Sequence, residues 1–375
     1  MRPLDGVKVV SIEQAVAAPF CTSRLADAGA EVIKIERPGG DFARGYDAVA
    51  NGQSSYFVWL NRGKQSRTLD LMSEQGREEL ARLLGESDVL VQNLKRGALA
   101  RLGFPFERLT REFPRLITCS ISGYGEGGPM ADRKAYDLLV QAESGLCSIT
   151  GGPSEPARVG ISIVDIATGA TAQTAILEAL IRRGVTGTGA NISISMFDVM
   201  ADWMAVPLLF HDYANQPTPR TGLGHSVICP YGAFRCQGGD LVVISVQNSR
   251  EWKRFCTQIL GNPALASDPR FHDNSARIQH KSELEALIKT VFGTHERAGL
   301  LKLLDSAGIA SAAVNDVGSL SDHPQLDRST VGTPSGPVSV AMPPIRRNGS
   351  EPTLGPSPGF DADGTALRAE FGSHS

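Results

Sequence analysis

The chain has little of what marks several common functional classes. Its six cysteines, Cys21, Cys119, Cys147, Cys229, Cys236 and Cys256, are scattered without a C-x-x-C pair, which argues against a zinc knuckle and a dense disulfide framework. The seven histidines are equally dispersed; there is no H-E-x-x-H and none lies near a cysteine at ligand spacing, so no metal site is expected. An excess of basic charge is lacking as well, with 37 Lys and Arg against 40 Asp and Glu. The formal net charge of −3 removes the global basic footprint of a nucleic-acid binder. No apolar run approaches the length of a membrane span, and the opening MRPLDGVKVV lacks the long apolar core of a secretory signal. Internal repeats and low-complexity segments are missing too. These absences predict a protein of the reducing cytoplasm that works without membrane or nucleic acid.

What is present is an ordinary globular composition, 41% hydrophobic and 21% charged over 375 residues, long enough for two domains or one elaborated domain. The chain opens strand, helix, strand: VKVVSI, then PFCTSRLADAGA with Gly29 as a stop, then EVIKIER. Glu36 ends that second strand, where dinucleotide folds place an acidic ribose ligand. The phosphate turn contradicts a dinucleotide site, because EQAVAAP stands where G-x-G-x-x-G would let backbone approach a pyrophosphate. SRTLDL, EQGREELARLLGES, DVLVQN, GALARLG and RLITCSISGYG continue the alternation, which predicts an α/β fold with a doubly wound, mostly parallel sheet. The composition divides the chain into a first large-domain segment over 1–214, a Pro- and Gly-rich linker over 215–230, a smaller domain over 231–310, and a segment over 311–375 that returns to the large domain.

Four stretches carry candidate chemistry. KIERPGGDFARGYD gathers Lys34, Arg37 and Arg44 behind a strand, and VQNLKRGALARLGF places Asn93, Lys95, Arg96 and Arg101 behind another. Basic strand ends of this kind suit a phosphorylated ligand, although a solvated charged loop has the same composition. ISGYGEGGPMADRKAYD is a Gly-rich loop whose N–H groups could face an oxyanion. VGISIVDIATG reads as a strand or buried approach through Ile161, Ile163 and Val164, with Asp165 at the start of the helix that follows. Two readings of Asp165 stay open at this level. It can be an N-cap. Alternatively, the helix N–H groups keep it ionised, the small residues Ala167, Gly169 and Ala170 leave room for a ligand, and it acts as a nucleophile.

PLDGVKVV, LADAGAEVIKIERP, VQNLKRGALARLGF, ISGYGEGGP, KAYDLLVQAESGL and VDIATG occur in this order, and the chain thereby resembles the class III CoA-transferases, the CaiB/BaiF family. The resemblance implies a Rossmann-like large domain built from both chain ends, an inserted smaller α+β domain, and an interlocked homodimer. It implies that Asp165 attacks an acyl-CoA thioester, forming a mixed anhydride and then an aspartyl-CoA thioester. CoA contacts fall on Ala15, Val16, Arg37, Leu69, Asp70, Leu71, Met72, Asn93, Leu94, Lys95, Arg101, Lys134, Ala135, Tyr136 and Asp137. No tightly bound cofactor is implied; CoA and acyl-CoA are substrates. The chain has Ala17 where the formyl-CoA branch has glutamine, and TGLGHS over 221–226 where that branch has a polyglycine lid, which argues against formyl-CoA and oxalate. The racemase branch needs a histidine base where Tyr136 stands, and a phenol of pKa about 10 is a poor base at neutral pH. A CoA-binding protein without catalysis is the remaining alternative. EQAVAAPFC, GDFARGYD, FVWLNR and QNSREW resemble the itaconate, mesaconate and citramalate branch, with succinyl-CoA as donor. There Arg44, Arg62, His225 and Arg250 are candidates for the distal carboxylate of a C4–C5 diacid.

Overall fold

The computed structural model describes residues 1–364. The chain divides into two compact units, one formed by Met1–Leu146, Arg158–Leu208 and the segment from Asp327, the other by Cys147–Ala157 and Leu209–Leu326. The last residues of the C-terminal DADGTALRAEFGSHS, from 365 on, lie outside the described residues.

The first unit is built on six parallel strands, β1 (Lys8–Ile12), β2 (Glu31–Glu36), β3 (Lys64–Thr68), β4 (Val89–Gln92), β5 (Ile117–Ser122) and β6 (Asn191–Ser195), in the spatial order β3-β2-β1-β4-β5-β6. Strands covered on both faces must be apolar nearly throughout, and Val9, Val10, Val89, Leu90, Val91, Ile117 and Cys119 are all buried. One face is covered by α1 (Ala17–Asp27) and the 24-residue α4 (Ile163–Thr186). On the other, α2 (Glu74–Gly85) sends Leu80, Leu83 and Leu84 into a cluster with Val10, Ile33 and Leu90. A short helix α3 (Asp137–Glu143) completes the elements that shape the site. The segment from Asp327 adds an antiparallel pair, β10 (Arg328–Val331) with β11 (Val338–Ala341).

Two sequence expectations change here. Ile163 and Val164 belong to the first turn of α4 and not to a strand, because the run that follows Ile163 is rich in Ala and Leu and favours helix. Of the small residues beside Asp165, Ala167 and Gly169 are buried and serve packing, while Ala170 is exposed. A Cβ on Gly169 would lie 2.4 Å from the Ala17 carbonyl oxygen. At Gly169 the small residue marks the close approach of α4 to α1.

In the second unit β7 (Tyr231–Arg235), β8 (Leu241–Ser245) and β9 (Ala310–Ala313) form an antiparallel sheet. Its core joins Phe234, Trp252, Phe255, Phe271 and Phe292 to Leu284, Ile288, Leu300 and Leu304 from the helices Lys281–Phe292 and Arg297–Ser306.

Candidate functional site

The sheet order reverses between β1 and β4, and ligands in open α/β sheets settle beyond the carboxyl ends of strands at such a point. The turn from β1 into α1 has no glycine. Ala15 takes a left-handed φ of +62°, which costs a residue with a Cβ about 1 kcal/mol or more. It is held from two sides. The Asn93 side chain accepts from Gln14 N at 3.0 Å and donates to Gln14 O at 2.8 Å, while Asp41 Oδ1 accepts from Ala15 N at 3.3 Å.

Beneath the turn lies a buried ionic lattice. Glu13 Oε1 meets Lys64 Nζ at 2.6 Å and Lys34 Nζ at 3.6 Å, and Lys34 reaches Asp41 Oδ2 at 2.9 Å. Burial works against every charge in it and the partners decide the balance. Glu13 stays below the usual carboxylate range because Lys64 and Lys34 outweigh its desolvation. Glu13, Asp41 and Glu36 hold Lys34 up against its own burial. Lys64, for which burial dominates, is drawn down to about 8.

Above the turn a cavity of about 720 Å³ is lined by Ala15, Val16, Asn93, Leu94, Lys95, Lys134, Ala135, Tyr136, Asp137 and Asp165. A smaller cavity of about 210 Å³ is lined by Arg37, Leu69, Asp70, Leu71, Met72 and Leu94. The two share Gln14 and Leu94. Of the expected nucleophile and CoA contacts, Arg101 alone lines neither; it ends the short helix Ala98–Arg101, with its guanidinium 3.5 Å from the Arg96 carbonyl.

Asp165 is the third residue of α4, and Ser162 occupies the N-cap position without a side-chain hydrogen bond. The capping role that the sequence left open for Asp165 is filled from another element. Asp137 Oδ1 accepts from Val164 N at 2.8 Å and Asp165 N at 3.2 Å, and its Oδ2 accepts from Gln141 Nε2 at 2.6 Å. Gln141 Oε1 in turn accepts from Val159 N at 2.8 Å. Among the described residues the Asp165 carboxylate accepts no hydrogen bond of its own. Desolvation, and then the Asp137 charge, push it up to about 7. This reverses the expectation that helix N–H groups would hold it ionised: those donors are already taken.

Several lining residues escaped sequence reasoning. Phe42, Tyr46 and Tyr56 form an aromatic wall, with centroids 5.7 Å apart for Phe42–Tyr46 and 5.4 Å for Tyr46–Tyr56. The Tyr46 phenol is pushed up to about 12, first by burial and then by Asp41, Asp165 and Tyr136. The i, i+4 spacing of Phe42 and Tyr46 was the available signal, hidden inside a stretch read for its charges. Gln14 and Arg158 also line the larger cavity.

Two proposed diacid ligands are committed elsewhere. Arg44 grips Glu36 through Nη2 at 2.6 Å and Nε at 2.9 Å, and its guanidinium stacks 3.7 Å from the Phe57 ring centroid. Arg62 is buried against Asp27, at 2.6 and 3.1 Å, and against the Trp59 carbonyl. A buried guanidinium with a carboxylate partner is too costly to strip for a ligand. His225, stacked on Tyr231, and Arg250, in the helix Ser249–Arg254, belong to the second unit.

A family model described as CoA-transferase family III matches residues 4–363. Over 374 residues the chain is 36% identical to the acetyl-CoA:oxalate CoA-transferase of Acetobacter aceti, covering 98% of this chain and 96% of that protein. It is 33% identical over 374 residues to the succinate–glutarate CoA-transferase of Agrobacterium fabrum, covering 94% and 93%. A solved CAIB/BAIF family protein from Brucella suis matches with a TM-score of 0.84 at 35% identity over 99% of both chains.

Proposed function

Because the chain belongs to CoA-transferase family III and is a CoA-transferase, we propose that Asp165 is its nucleophile and that CoA passes from succinyl-CoA to a C4–C5 dicarboxylic acid. The observation that carries this reading is the Asp165 carboxylate: it faces the larger cavity, accepts no hydrogen bond among the described residues, and is pushed up to about 7. A carboxylate that is poorly solvated and undonated is a better nucleophile than one in water.

The electron bookkeeping closes without an external acid or base. An Asp165 oxygen attacks the thioester carbonyl and expels CoA thiolate, giving a mixed anhydride. The thiolate attacks the Asp165 acyl carbon, releases the donor acid as its carboxylate, and leaves an aspartyl-CoA thioester. The acceptor carboxylate then attacks that thioester and expels the thiolate, which returns to the acceptor's acyl carbon and frees Asp165. Each tetrahedral oxyanion needs donors. The Ala17 N–H at the start of α1, which begins at the cavity with no side-chain cap, and the backbone of the Gly-rich loop at Gly123 are the groups that would supply them.

CoA would lie with its nucleotide end in the smaller cavity, between Arg37 and Leu69–Met72, and its thioester arm passing Gln14 and Leu94 into the larger one. The racemase reading lacks its base, since no histidine lines the larger cavity among the described residues. The proposal extends to two interlocked copies of the chain in the cytoplasm, where six free cysteines would persist. The similarity to an acetyl-CoA:oxalate enzyme makes oxalate and acetyl-CoA part of any substrate screen.

The test is intact-protein mass spectrometry after incubation with succinyl-CoA and a hydroxylamine quench, followed by peptide mapping. We expect a single adduct at Asp165 in the wild type. Asp165→Ala should show no adduct and no transfer while still binding CoA; turnover near the wild-type level in that variant would sink the mechanism.

A further inference from the structure

With Arg44 and Arg62 withdrawn into ion pairs, the cavity around Asp165 is left with five cationic side chains, and their partners separate them. Arg96 faces Asp132 at 3.4 Å and Glu126 at 3.7 Å, and Arg133 faces Glu143 at 3.6 Å. Lys95 and Lys134 stand on the loops already assigned to CoA. Arg158 is the remaining one. It lines the cavity that holds Asp165 and has no acidic partner among the described residues.

Its guanidinium is nonetheless held in place. Nε donates to the Val159 carbonyl at 3.1 Å and Nη2 to the Gly160 carbonyl at 3.2 Å. Val159 is itself tied through its N–H to Gln141, which also donates to Asp137, the residue that caps α4. The Arg158 head is therefore anchored to the same framework that fixes the Asp165 backbone. Guanidinium has five N–H donors arranged in forks. Two are spent on carbonyls, and the Nη1/Nη2 edge keeps the pair of parallel donors that fits a carboxylate in bidentate fashion.

We propose that Arg158 is the specificity-determining residue of the acid site, binding the distal carboxylate of a dicarboxylic acid whose other carboxylate reacts at Asp165. This rests on the reading of the chain as a dicarboxylate CoA-transferase with Asp165 as nucleophile. A monocarboxylic acid of equal length leaves the guanidinium edge without its partner and a methyl group beside it, so the site discriminates by the absence of a charge-assisted pair.

The experiment compares glutarate with valerate as acceptors, using one donor thioester, in wild type, Arg158→Met and Arg158→Lys. Arg158→Met keeps the stem and removes the fork; the ratio of kcat/KM for glutarate over valerate should fall about fiftyfold, and about tenfold in Arg158→Lys, which keeps the charge without the bidentate edge. Glutarate should raise the melting temperature of the wild type and not of Arg158→Met. A ratio unchanged by Arg158→Met overturns the proposal, whether both acceptors weaken together or neither does, and so does a wild type that accepts valerate as well as glutarate. Failure of the underlying reading registers elsewhere, as a missing hydroxylamine-sensitive adduct at Asp165 in the wild type.

Discussion

Asp165 and Asp137 divide between them what one residue at a helix start usually does. Asp137 takes the orphan N–H groups of α4, and Asp165, relieved of that duty, keeps its lone pairs. A cap supplied from 28 residues away has no local sequence signature, which is why position alone favours the cap reading of Asp165 over the nucleophile. The pH consequence has a definite sign. In the proposed mechanism only ionised Asp165 attacks, so with its carboxyl pushed up to about 7, kcat/KM should fall as pH drops through about 7. Asp137→Asn removes the neighbouring charge and keeps an acceptor oxygen for the helix, so the acid limb should move to lower pH and the high-pH rate should fall as the nucleophile becomes less basic. A pH–rate profile of both proteins checks this; an unshifted limb would remove Asp137 from the account of Asp165.

At the scale of elements, β1, β2, β4 and β5 and the Ala-rich length of α4 were legible because each is a local pattern, a short continuous apolar run for the strands and a long helix-favouring composition for α4. The supports of the site were not, because they join distant segments. Asn93 reaches Gln14 across 79 residues and Asp41 reaches Ala15 across 26, so their sequence neighbourhoods display only polar strand ends. Arg158 sits in a stretch that reads as an ordinary connection. The contact of α4 with α1 misled for a different reason: small residues signal close approach without naming what approaches. Because a Cβ on Gly169 would sit 2.4 Å from Ala17 O and 3.0 Å from Phe20 Cβ, Gly169→Ala should drive the helices apart at a cost of about 1–3 kcal/mol. Its urea midpoint should fall and its transfer rate with it, since both helices begin at the cavity. A midpoint equal to that of the wild type would show that the helices tolerate the methyl group.

For the whole molecule, the apolar surface supports the proposed homodimer. Trp203, Val206 and Leu208 are each more than half exposed in the single chain, and Ile181 and Val185 on α4 are 73% and 86% exposed. Monomers rarely leave so many large apolar groups in water. Sedimentation should give twice the chain mass, with no subunit exchange between tagged and untagged protein unless both are unfolded and refolded together, as closed rings demand. A monomer, or free exchange under native conditions, would contradict interlocking.

Glu36 carries a last consequence. Its two oxygens are saturated by Arg44, by the Ser66 hydroxyl at 2.7 Å and by Asp41 N at 2.9 Å, and against its burial Arg44, the Lys34 charge and Ser66 draw it down to about 2. In sheets of this order the acid ending the second strand is what grips the ribose of a pyridine dinucleotide. Here that acceptor has been subtracted from the surface and turned into internal mortar. A pyridine dinucleotide laid along this sheet would find no free acceptor for its ribose at that strand end, before any group that does chemistry is reached.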